Sequence, residues 1–352
     1  MHILIDFVKY FILNDLLKRT NSYVVHLSYF VLFDIIQRQL FKIGGIMEYT
    51  IVEATRWCQS SFFDSFFQII TWFGDEVFFL LSFTLIYWLY KREYALKFGL
   101  FYLISTGVNG FLKIVVGRTR PNGGTGSFPS GHSQSFGMQA SMIGVEVFQN
   151  KNMRLRNKIF IFIELFVAWF MIAYSRLYLN FHFLSDVIAG LLIAFILALL
   201  LNLLWGYAPT KWKTSQIKNI LMYIIMGGAL LLYIIFSVTN KMISSTTWLT
   251  IYNFTGSIIG VCIGDILNDK FIKYNPSEDN SSGKLLKVIL GVSILALFYY
   301  FIVLELGEKL VYLMPLYYAI MMFMATFVLP LIFKKWNFEE KRINQMHSDN
   351  EE

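Results

Sequence analysis

The chain has 352 residues, of which 56% are hydrophobic and only 15% are charged, and its formal net charge is +7. A soluble globular domain carries about 25% charged residues, so this composition excludes a soluble protein. The lysines and arginines lie mainly in short loops between apolar segments, which is typical of a membrane protein beside anionic headgroups. We therefore expect membrane lipids, and no nucleic acid, as partners.

Several apolar segments approach the roughly 20 residues that a helix needs to cross about 30 Å of hydrocarbon. Because a backbone in lipid must satisfy its own hydrogen bonds, these segments are predicted to be helices. The sequence thus predicts an all-α, polytopic membrane helical bundle. The two cysteines, Cys58 and Cys262, lie in different apolar segments without metal-ligand spacing and are expected to be packing thiols.

Residues 1–46 are an N-terminal extension of uncertain status. Its two apolar patches, Ile3–Leu17 and Tyr23–Ile36, are interrupted by charges and could form amphipathic helices at the membrane interface. Met47 is an equally acceptable start of the protein. The lack of a small-residue cleavage site argues against a removed signal peptide.

The remaining elements are predicted from hydrophobic runs in chain order. Tyr49–Phe73 contains three charged residues that interrupt its apolar pattern, so we expect a tilted or partly interfacial helix that ends at Gly74-Asp75. Spanning helices are then predicted over Val77–Leu89, Tyr94–Leu112, Ser133–Phe148, Ile159–Tyr174 and Val187–Trp205, and four more over Ile220–Val238, Trp248–Leu267, Val288–Leu306 and Leu310–Phe333.

The loops on one side of this bundle are rich in cations, among them Lys91, Arg92 and the run at 151–158. Short loops rich in lysine and arginine stay in the cytoplasm, so this side is expected to be cytoplasmic. Alternation of the helices then places on the opposite side the loops that hold Arg118, Arg120, His132, Arg176 and His182. A site built from these residues would face outward.

Pro129-Ser130-Gly131-His132 directly precedes a predicted apolar helix. Serine is a favoured N-cap, and glycine lets a ligand come close to the backbone. The unpaired N–H groups and the positive dipole end at such a helix start bind anions. The segment therefore predicts a phosphate-binding helix start, with the Ser130 hydroxyl as a further donor and His132 beside it.

Lys113 ends a predicted span and Arg120 follows seven residues later, while Gly117 and Pro121 indicate that the helix unwinds nearby. The two cations are therefore predicted to converge on one mouth of the bundle. Taken singly, either one could instead extend its charged end to lipid headgroups at the membrane boundary. We assign that headgroup role to Arg118.

His182 and Asp186 are spaced i, i+4, so on a helix they would share one face. A carboxylate there can hold one imidazole N–H and leave the other ring nitrogen free to attack. Arg176, in the preceding turn, can offer a bidentate fork to phosphate oxygens. A single His–Asp pair at a membrane boundary is more often structural, so a catalytic role for this pair is supported only together with the other two clusters.

These three clusters together resemble the signature motifs of the type 2 phosphatidic acid phosphatase family. Lys-x6-Arg-Pro at 113–121, Pro-Ser-Gly-His at 129–132 and Ser-Arg-x5-His-x3-Asp at 175–186 match it in order and at every motif position. The resemblance covers roughly Trp57–Trp205 and implies a six-helix core. The family includes undecaprenyl diphosphate phosphatases, phosphatidylglycerophosphatases, glucose-6-phosphatase and soluble vanadium haloperoxidases.

The resemblance also implies a role for each motif residue. His182 corresponds to the nucleophile, His132 to the general acid and Asp186 to the carboxylate that orients the nucleophile. The residues that match phosphate-binding positions are Lys113, Arg120, Ser130, Gly131 and Arg176. No metal and no cofactor is implied.

Four segments follow from this interpretation. They are the uncertain extension at 1–46, a phosphatase core at 47–206, additional transmembrane helices of unknown role at 207–336, and a disordered tail at 337–352.

In the third segment Gly256, Gly260 and Gly264 recur every fourth residue and form a ridge of small side chains. Packing within the chain is the expected use of this ridge, and a homodimer is the alternative. Asp265 is expected to be solvated at the membrane boundary.

The resemblance implies an integral membrane lipid phosphatase that acts without a metal and through a phosphohistidine, and the loop charges predict that its site is on the extracytoplasmic face of the cell membrane. Undecaprenyl diphosphate is the favoured substrate, and phosphatidylglycerophosphate or phosphatidic acid are the other candidates. One alternative is a phosphotransferase that passes the phosphoryl group to a sugar or lipid acceptor. Another is an inactive membrane scaffold or transporter.

Overall fold

The computed structural model of the chain describes residues 45–207, 245–276, 281–301 and 310–336, with single residues between 224 and 235. The N-terminal extension up to residue 44, most of the predicted helix Ile220–Val238 and the tail at 337–352 lie outside the described residues. Over the described ranges every regular element is helical. The prediction of an all-α membrane bundle with additional C-terminal helices is confirmed.

Apart from a short helical segment at 45–55, the described residues form six helices in the first part of the chain and three in the C-terminal part. The first six are α1 (Ser61–Trp72), α2 (Glu76–Leu89), α3 (Arg92–Val116), α4 (Gly131–Gln149), α5 (Leu155–Tyr178) and α6 (Leu184–Tyr207). The C-terminal helices are α7 (Ser245–Leu267), α8 (Ser281–Phe298) and α9 (Met314–Phe323). Helix α7 continues into a π-helical turn at Asn268–Ile272, and α9 continues through a second such turn at Met324–Val328 to residue 336.

Five of these helices, α3, α5, α6, α8 and α9 with its continuation, are long and apolar enough to cross a membrane, and α1 with α2 makes a sixth if this bent pair is one span. The predicted spans Ser133–Phe148 and Trp248–Leu267 are helical, as α4 and α7, but fall outside this set. Both helices bury polar side chains against neighbouring helices, for example Gln134 in α4 and Asn253 in α7. Low hydropathy there reflects contact with protein rather than with lipid.

The single helix predicted over Tyr49–Phe73 is wrong. Residues 45–55 are helical, a turn follows, and a new helix, α1, starts after Ser60. Ser60 has an extended backbone, and its hydroxyl accepts a hydrogen bond from the Phe63 N–H at 3.3 Å. A serine that caps a new helix in this way explains the break.

Helices α1 and α2 meet at an angle of 48°. Gly74 lies in the bend, and Asp75 caps α2 by accepting a hydrogen bond from the Glu76 N–H at 2.6 Å. We call residues 71–76 the α1–α2 elbow. The predicted helix end at Gly74-Asp75 is thus present, and it places the start of α2 beside the start of α4.

Helix α4 lies at the centre of the six-helix core, packed against α3, α5 and α6. Its buried Gln134 donates to the Ser105 carbonyl at 2.8 Å and accepts from the Asn109 side chain at 2.8 Å. Because buried polar groups cost free energy unless they are paired, these bonds fix the depth of α4 against α3. The N-terminal end of α4 is therefore held at one defined height in the bundle.

The glycine ridge of α7 faces α9. A Cβ atom at Gly256 or Gly260 would collide with the backbone of Pro315 or Ala319, and one at Gly264 would collide with Thr326. Small residues thus allow the two helices to approach closely within the same chain. The face that a homodimer would use is filled by α9, and the possible homodimer remains an untested prediction.

The C-terminal helices are joined to the core by a buried cluster at the end of the bundle opposite the motifs. Arg92 forms ion pairs with Asp265 at 2.8 Å and Asp269 at 2.6 Å, and the Tyr87 hydroxyl donates to Asp265 at 2.8 Å. Asp265 is fully buried, so the expectation that it is solvated at the membrane boundary is wrong. A carboxylate this deep is kept because a guanidinium and a hydroxyl satisfy it.

Candidate active site

All three motif clusters lie at one end of the six-helix core. Lys113 is in the last turn of α3, Ser130 is the N-cap of α4, Arg176 is in the last turn of α5, and Asp186 is in the first turn of α6. Successive helices that run in opposite directions bring these ends together. The backbone N–H of Ser130 donates to the Asp186 carbonyl at 2.9 Å, which ties the second motif directly to the third.

The start of α4 has the geometry that its sequence predicts. Ser130 has an extended backbone (φ −64°, ψ 116°), and its hydroxyl accepts from the Ser133 N–H at 3.4 Å. At Gly131 an added Cβ would lie 3.8 Å from the Lys113 ammonium nitrogen. A cation therefore stands beside the positive end of a helix dipole, an arrangement that favours an anion between them.

Two guanidinium groups each have a buried N–H that no described residue accepts. Arg176 is 4% exposed and Arg120 is half-buried, and the Nε–H of each has no hydrogen-bond partner in the part of the chain that the structure describes. Arg176 is nevertheless held in place, because its Nη1 donates to the Thr71 hydroxyl at 2.6 Å and its guanidinium lies over the Phe181 ring at 4.6 Å. Since buried donors are almost always satisfied, these two call for an anionic ligand.

His182 and Asp186 are neighbours, but not on one helix as the spacing predicted. His182 precedes α6, which begins at Leu184, so a loop rather than a helical face brings the imidazole to the carboxylate. Its Nδ1 lies 3.7 Å from Asp186 Oδ2, too far for a hydrogen bond, and has no partner among the described residues. Both side chains are buried, so a small shift of the ring would complete this pair.

The Asp186 carboxylate is held from three sides. Oδ2 accepts from the Ser127 hydroxyl and, at 3.0 Å, from the Phe183 N–H. Oδ1 accepts from Arg118 Nη1 at 2.8 Å. A carboxylate fixed in this way can orient the imidazole of His182.

The assignment of Arg118 to lipid headgroups is wrong. Besides Asp186, its guanidinium donates to the Ser185 hydroxyl at 2.7 Å and forms an ion pair with Glu48. It also lies over the Phe183 ring at 4.3 Å. Because its partners come from residues distant in sequence, the sequence pattern offered no signal for this role.

The charges around His182 keep its ring neutral. The pKa of the His182 imidazole is lowered from 6.5 to about 4, first by burial and then by the positive charges of Arg176, Lys113 and Arg120, while Asp186 opposes the change. A neutral imidazole has a free lone pair at neutral pH, as a nucleophile requires. Lys113 and Arg120 from the first motif and Arg176 from the third therefore act on one ring.

His132 is the more exposed of the two motif histidines, with 28% of its side chain exposed against 1% for His182. Its pKa is also lowered, first by burial and then by Arg176, His182, Lys113 and Arg120. The two imidazoles therefore share one electrostatic environment. A phosphoryl group bound between them would meet a neutral nucleophile on one side and a group able to exchange a proton on the other.

Sequence reasoning missed the contribution of the α1–α2 elbow. Thr71 binds Arg176, Gly74 packs against His132, and the Asp75 carboxylate lies 4.0 Å from His132 Nε2. The Gly74-Asp75 pair marked the end of a helix. Nothing in the local pattern indicated which other loop this bend would meet.

Two family models match the chain. The PAP2 superfamily matches residues 94–210, and the PAP2 superfamily phosphatase transmembrane extension matches residues 252–341. Together the two matches span more than half of the chain. The first includes all three motifs, and the second includes most of α7 and all of α8 and α9.

Two solved structures resemble the chain. The transmembrane PAP2 type phosphatidylglycerolphosphate phosphatase from Bacillus subtilis is 21% identical, with a TM-score of 0.41, over 52% of this chain and 96% of that one. LpxE from Aquifex aeolicus is 23% identical, with a TM-score of 0.37, over 44% of this chain and 94% of that one. No curated protein sequence gave a significant match.

Proposed function

Because this chain belongs to the PAP2 superfamily, we propose that it is an integral membrane lipid phosphatase that works through a phosphohistidine. The observation that carries the proposal is that the Nε–H groups of Arg120 and Arg176, near the helix start at Ser130 and two imidazoles, have no hydrogen-bond partner among the described residues. A tetrahedral anion would satisfy all of these groups at once.

Substrate binding uses the cations and the α4 start. Lys113, Arg120 and Arg176 neutralise the phosphate oxygens, and the N–H groups that follow Ser130 donate to them. Gly131 leaves room for an oxygen near the Lys113 ammonium. The same donors stabilise the charge that develops on these oxygens during transfer.

In the first step, Nε2 of neutral His182 attacks phosphorus as the bond to the leaving oxygen breaks. Asp186 accepts the Nδ1–H of the resulting cationic ring, and His132 gives its proton to the leaving oxygen. In the second step His132 takes a proton from water, whose oxygen attacks phosphorus and breaks the P–N bond. Inorganic phosphate leaves, and both rings regain their starting states.

No metal or cofactor is needed in this scheme. The roles that a divalent ion plays in other phosphoryl transfers, neutralising oxygens and orienting phosphorus, fall to Lys113, Arg120 and Arg176. We therefore propose that phosphatase activity persists in the presence of a metal chelator.

The location of the site supports a lipid as substrate. The three motifs lie at one end of a bundle with several helices long and apolar enough to cross a membrane, so a lipid tail could stay in the bilayer while its phosphate enters the site. The cation-rich loops lie at the opposite end, which favours an extracytoplasmic site in the cell membrane. Undecaprenyl diphosphate is the favoured substrate, ahead of phosphatidylglycerophosphate and phosphatidic acid, by analogy with the family.

The full-length protein, purified in detergent, tests the proposal. Free phosphate would be measured with undecaprenyl diphosphate, phosphatidylglycerophosphate and phosphatidic acid, each with and without EDTA. We expect release that EDTA does not abolish, and ³²P-labelled enzyme on acid quench of the wild type but not of His182→Ala. Labelling of His182→Ala would contradict the phosphohistidine at His182. Strict dependence on a divalent ion would contradict the metal-free scheme, and transfer to an acceptor without free phosphate would contradict hydrolysis.

A further inference from the structure

The α1–α2 elbow reaches the site from outside all three motifs. At Gly74 an added Cβ would lie only 2.8 Å from His132 Cβ, so the elbow is in direct contact with the residue proposed as the general acid. Thr71, one turn earlier, binds Arg176 at 2.6 Å. The elbow therefore touches two site residues that come from different helices.

Asp75 presents a fixed carboxylate to the His132 ring. Its Oδ1 accepts from the Glu76 N–H at 2.6 Å as the cap of α2, while Oδ2 lies 4.0 Å from His132 Nε2. One oxygen is thus used to hold the side chain and the other faces the imidazole. Because Gly74 has no side chain to separate the elbow from α4, the position of this oxygen is set by backbone packing.

The start of α2 is also held by the C-terminal helices. The Asn253 side chain of α7 donates to the Glu76 carboxylate at 2.5 Å. Glu76 is the residue whose N–H binds Asp75. The transmembrane extension therefore supports the elbow that carries the Asp75 carboxylate.

The charges that face His132 explain why a carboxylate is useful there. Lys113 from α3, Arg120 from the loop that follows it, and Arg176 from α5 are positive, and His182 lies before α6. All of these disfavour a proton on His132, whereas a general acid must carry one when the leaving oxygen departs. Asp186, the other nearby carboxylate, is engaged by Arg118 and Ser127. The Asp75 carboxylate lies 4.0 Å from His132 Nε2 and also acts on Arg176.

We propose that Asp75 is a positioning residue that holds the protonated ring of His132 towards the leaving oxygen. The inference rests on the proposed phosphatase function and adds a residue outside its motifs. An opposite charge at 4 to 6 Å favours the charged form of a titrating group, by about one pH unit for a partner that is partly exposed, as Asp75 is.

Asp75→Asn tests the idea, because asparagine also caps helices but has no charge. We expect the alkaline limb of the kcat profile to move to lower pH by about one unit, with KM little changed and with activity recovering at acid pH. Asp75→Glu should retain part of the alkaline activity. Asp64→Asn in α1, which loses a carboxylate hydrogen-bonded to Tyr178, is the matched control and should leave the limb in place.

A second measurement separates proton donation from a structural role. An aryl phosphate with an acidic leaving group needs little protonation, so Asp75→Asn should slow its hydrolysis less than that of an alkyl phosphate. Equal losses with both substrates, or a loss that is uniform with pH, would overturn the inference. If Asp75→Asn fails to fold, the same measurements are made on Asp75→Ser, because serine can also cap α2 but carries no charge.

Different results would contradict the role of Asp75 and the phosphatase function. A wild-type protein that forms the phosphoenzyme, combined with an Asp75→Asn profile that matches the wild type, would remove the role of Asp75 alone. A wild-type protein without phosphatase activity would remove the proposed function.

Discussion

Arg118 Nη1 and Asp186 Oδ1 are joined by a hydrogen bond of 2.8 Å, on the carboxylate that faces the His182 ring with its other oxygen. Asp186 is fully buried, so this guanidinium compensates a charge that water cannot reach. The proposed nucleophile, His182, is therefore supported by Asp186, which is in turn held by Arg118.

Replacing Arg118 tests this support. Arg118→Gln should lower kcat by about 10- to 100-fold, because a charge-assisted hydrogen bond contributes about 1.5–3 kcal/mol. KM should change little, since Lys113, Arg120 and Arg176, the proposed phosphate-binding cations, remain. Steady-state kinetics on a lipid phosphate would measure both values, and Arg118→Lys, which keeps the charge, should lose less. An unchanged kcat in Arg118→Gln would show that the contact has no part in turnover.

The protonation state of His182 predicts the acid limb of the pH profile. Because its pKa is lowered to about 4, the ring is neutral over most of the acid range, and kcat/KM should rise as pH increases through about 4. The lowered pKa also makes the stability of the folded state depend on pH. Stability is highest above the ordinary pKa of about 6.5 and falls as the pH drops from there through about 4, because the unfolded chain then binds a proton that the folded chain does not. The pH dependence of kcat/KM checks the first statement, and thermal unfolding against pH checks the second. An acid limb near pH 6.5 would contradict the lowered pKa.

Gly131 and Gly74 should respond differently to the same substitution. A Cβ at Gly131 would lie 3.5 Å from Asn109 Oδ1 and 3.8 Å from Lys113 Nζ, which is ordinary contact, so Gly131→Ala should fold normally. The added methyl group would occupy space beside the ammonium where a phosphate oxygen approaches, and we expect kcat/KM to fall about tenfold, or about 1.4 kcal/mol. Gly74→Ala should also lower the melting temperature, because its Cβ would meet His132 at 2.8 Å. Parallel melting curves and phosphate-release assays would separate the two cases.

The buried ion pair between the core and the extension predicts a stability effect at a distance from the site. Arg92→Ala leaves Asp265 with only part of its compensation and should destabilise the protein by about 3 kcal/mol. Thermal unfolding in detergent would measure this loss. In the double variant Arg92→Ala, Asp265→Ala the charge is removed together with its partner, so it should be less destabilised than the sum of the two single variants. Additive losses would show that the two groups do not interact.

The C-terminal helices show the limit of local patterns. The ridge of Gly256, Gly260 and Gly264 indicated a close helix contact, and the structure shows α9 as the partner. Asp265 is next to that ridge in sequence, yet its partner Arg92 lies 173 residues away. No periodicity reports such a pair, because it depends on how α7 and α3 come together in three dimensions.

The sequence by itself determined the membrane class, the helical fold, the three motifs and the N-cap at Ser130, because hydropathy and capping act between residues that are close along the chain. Tertiary structure alone decided that His182 reaches Asp186 from a loop, that Arg118 holds Asp186, and that Asp75 faces His132. These contacts join residues whose positions are set by helix packing and by bends such as the 48° elbow. A local pattern can mark where a helix ends, but the packing of the whole bundle selects what that end touches.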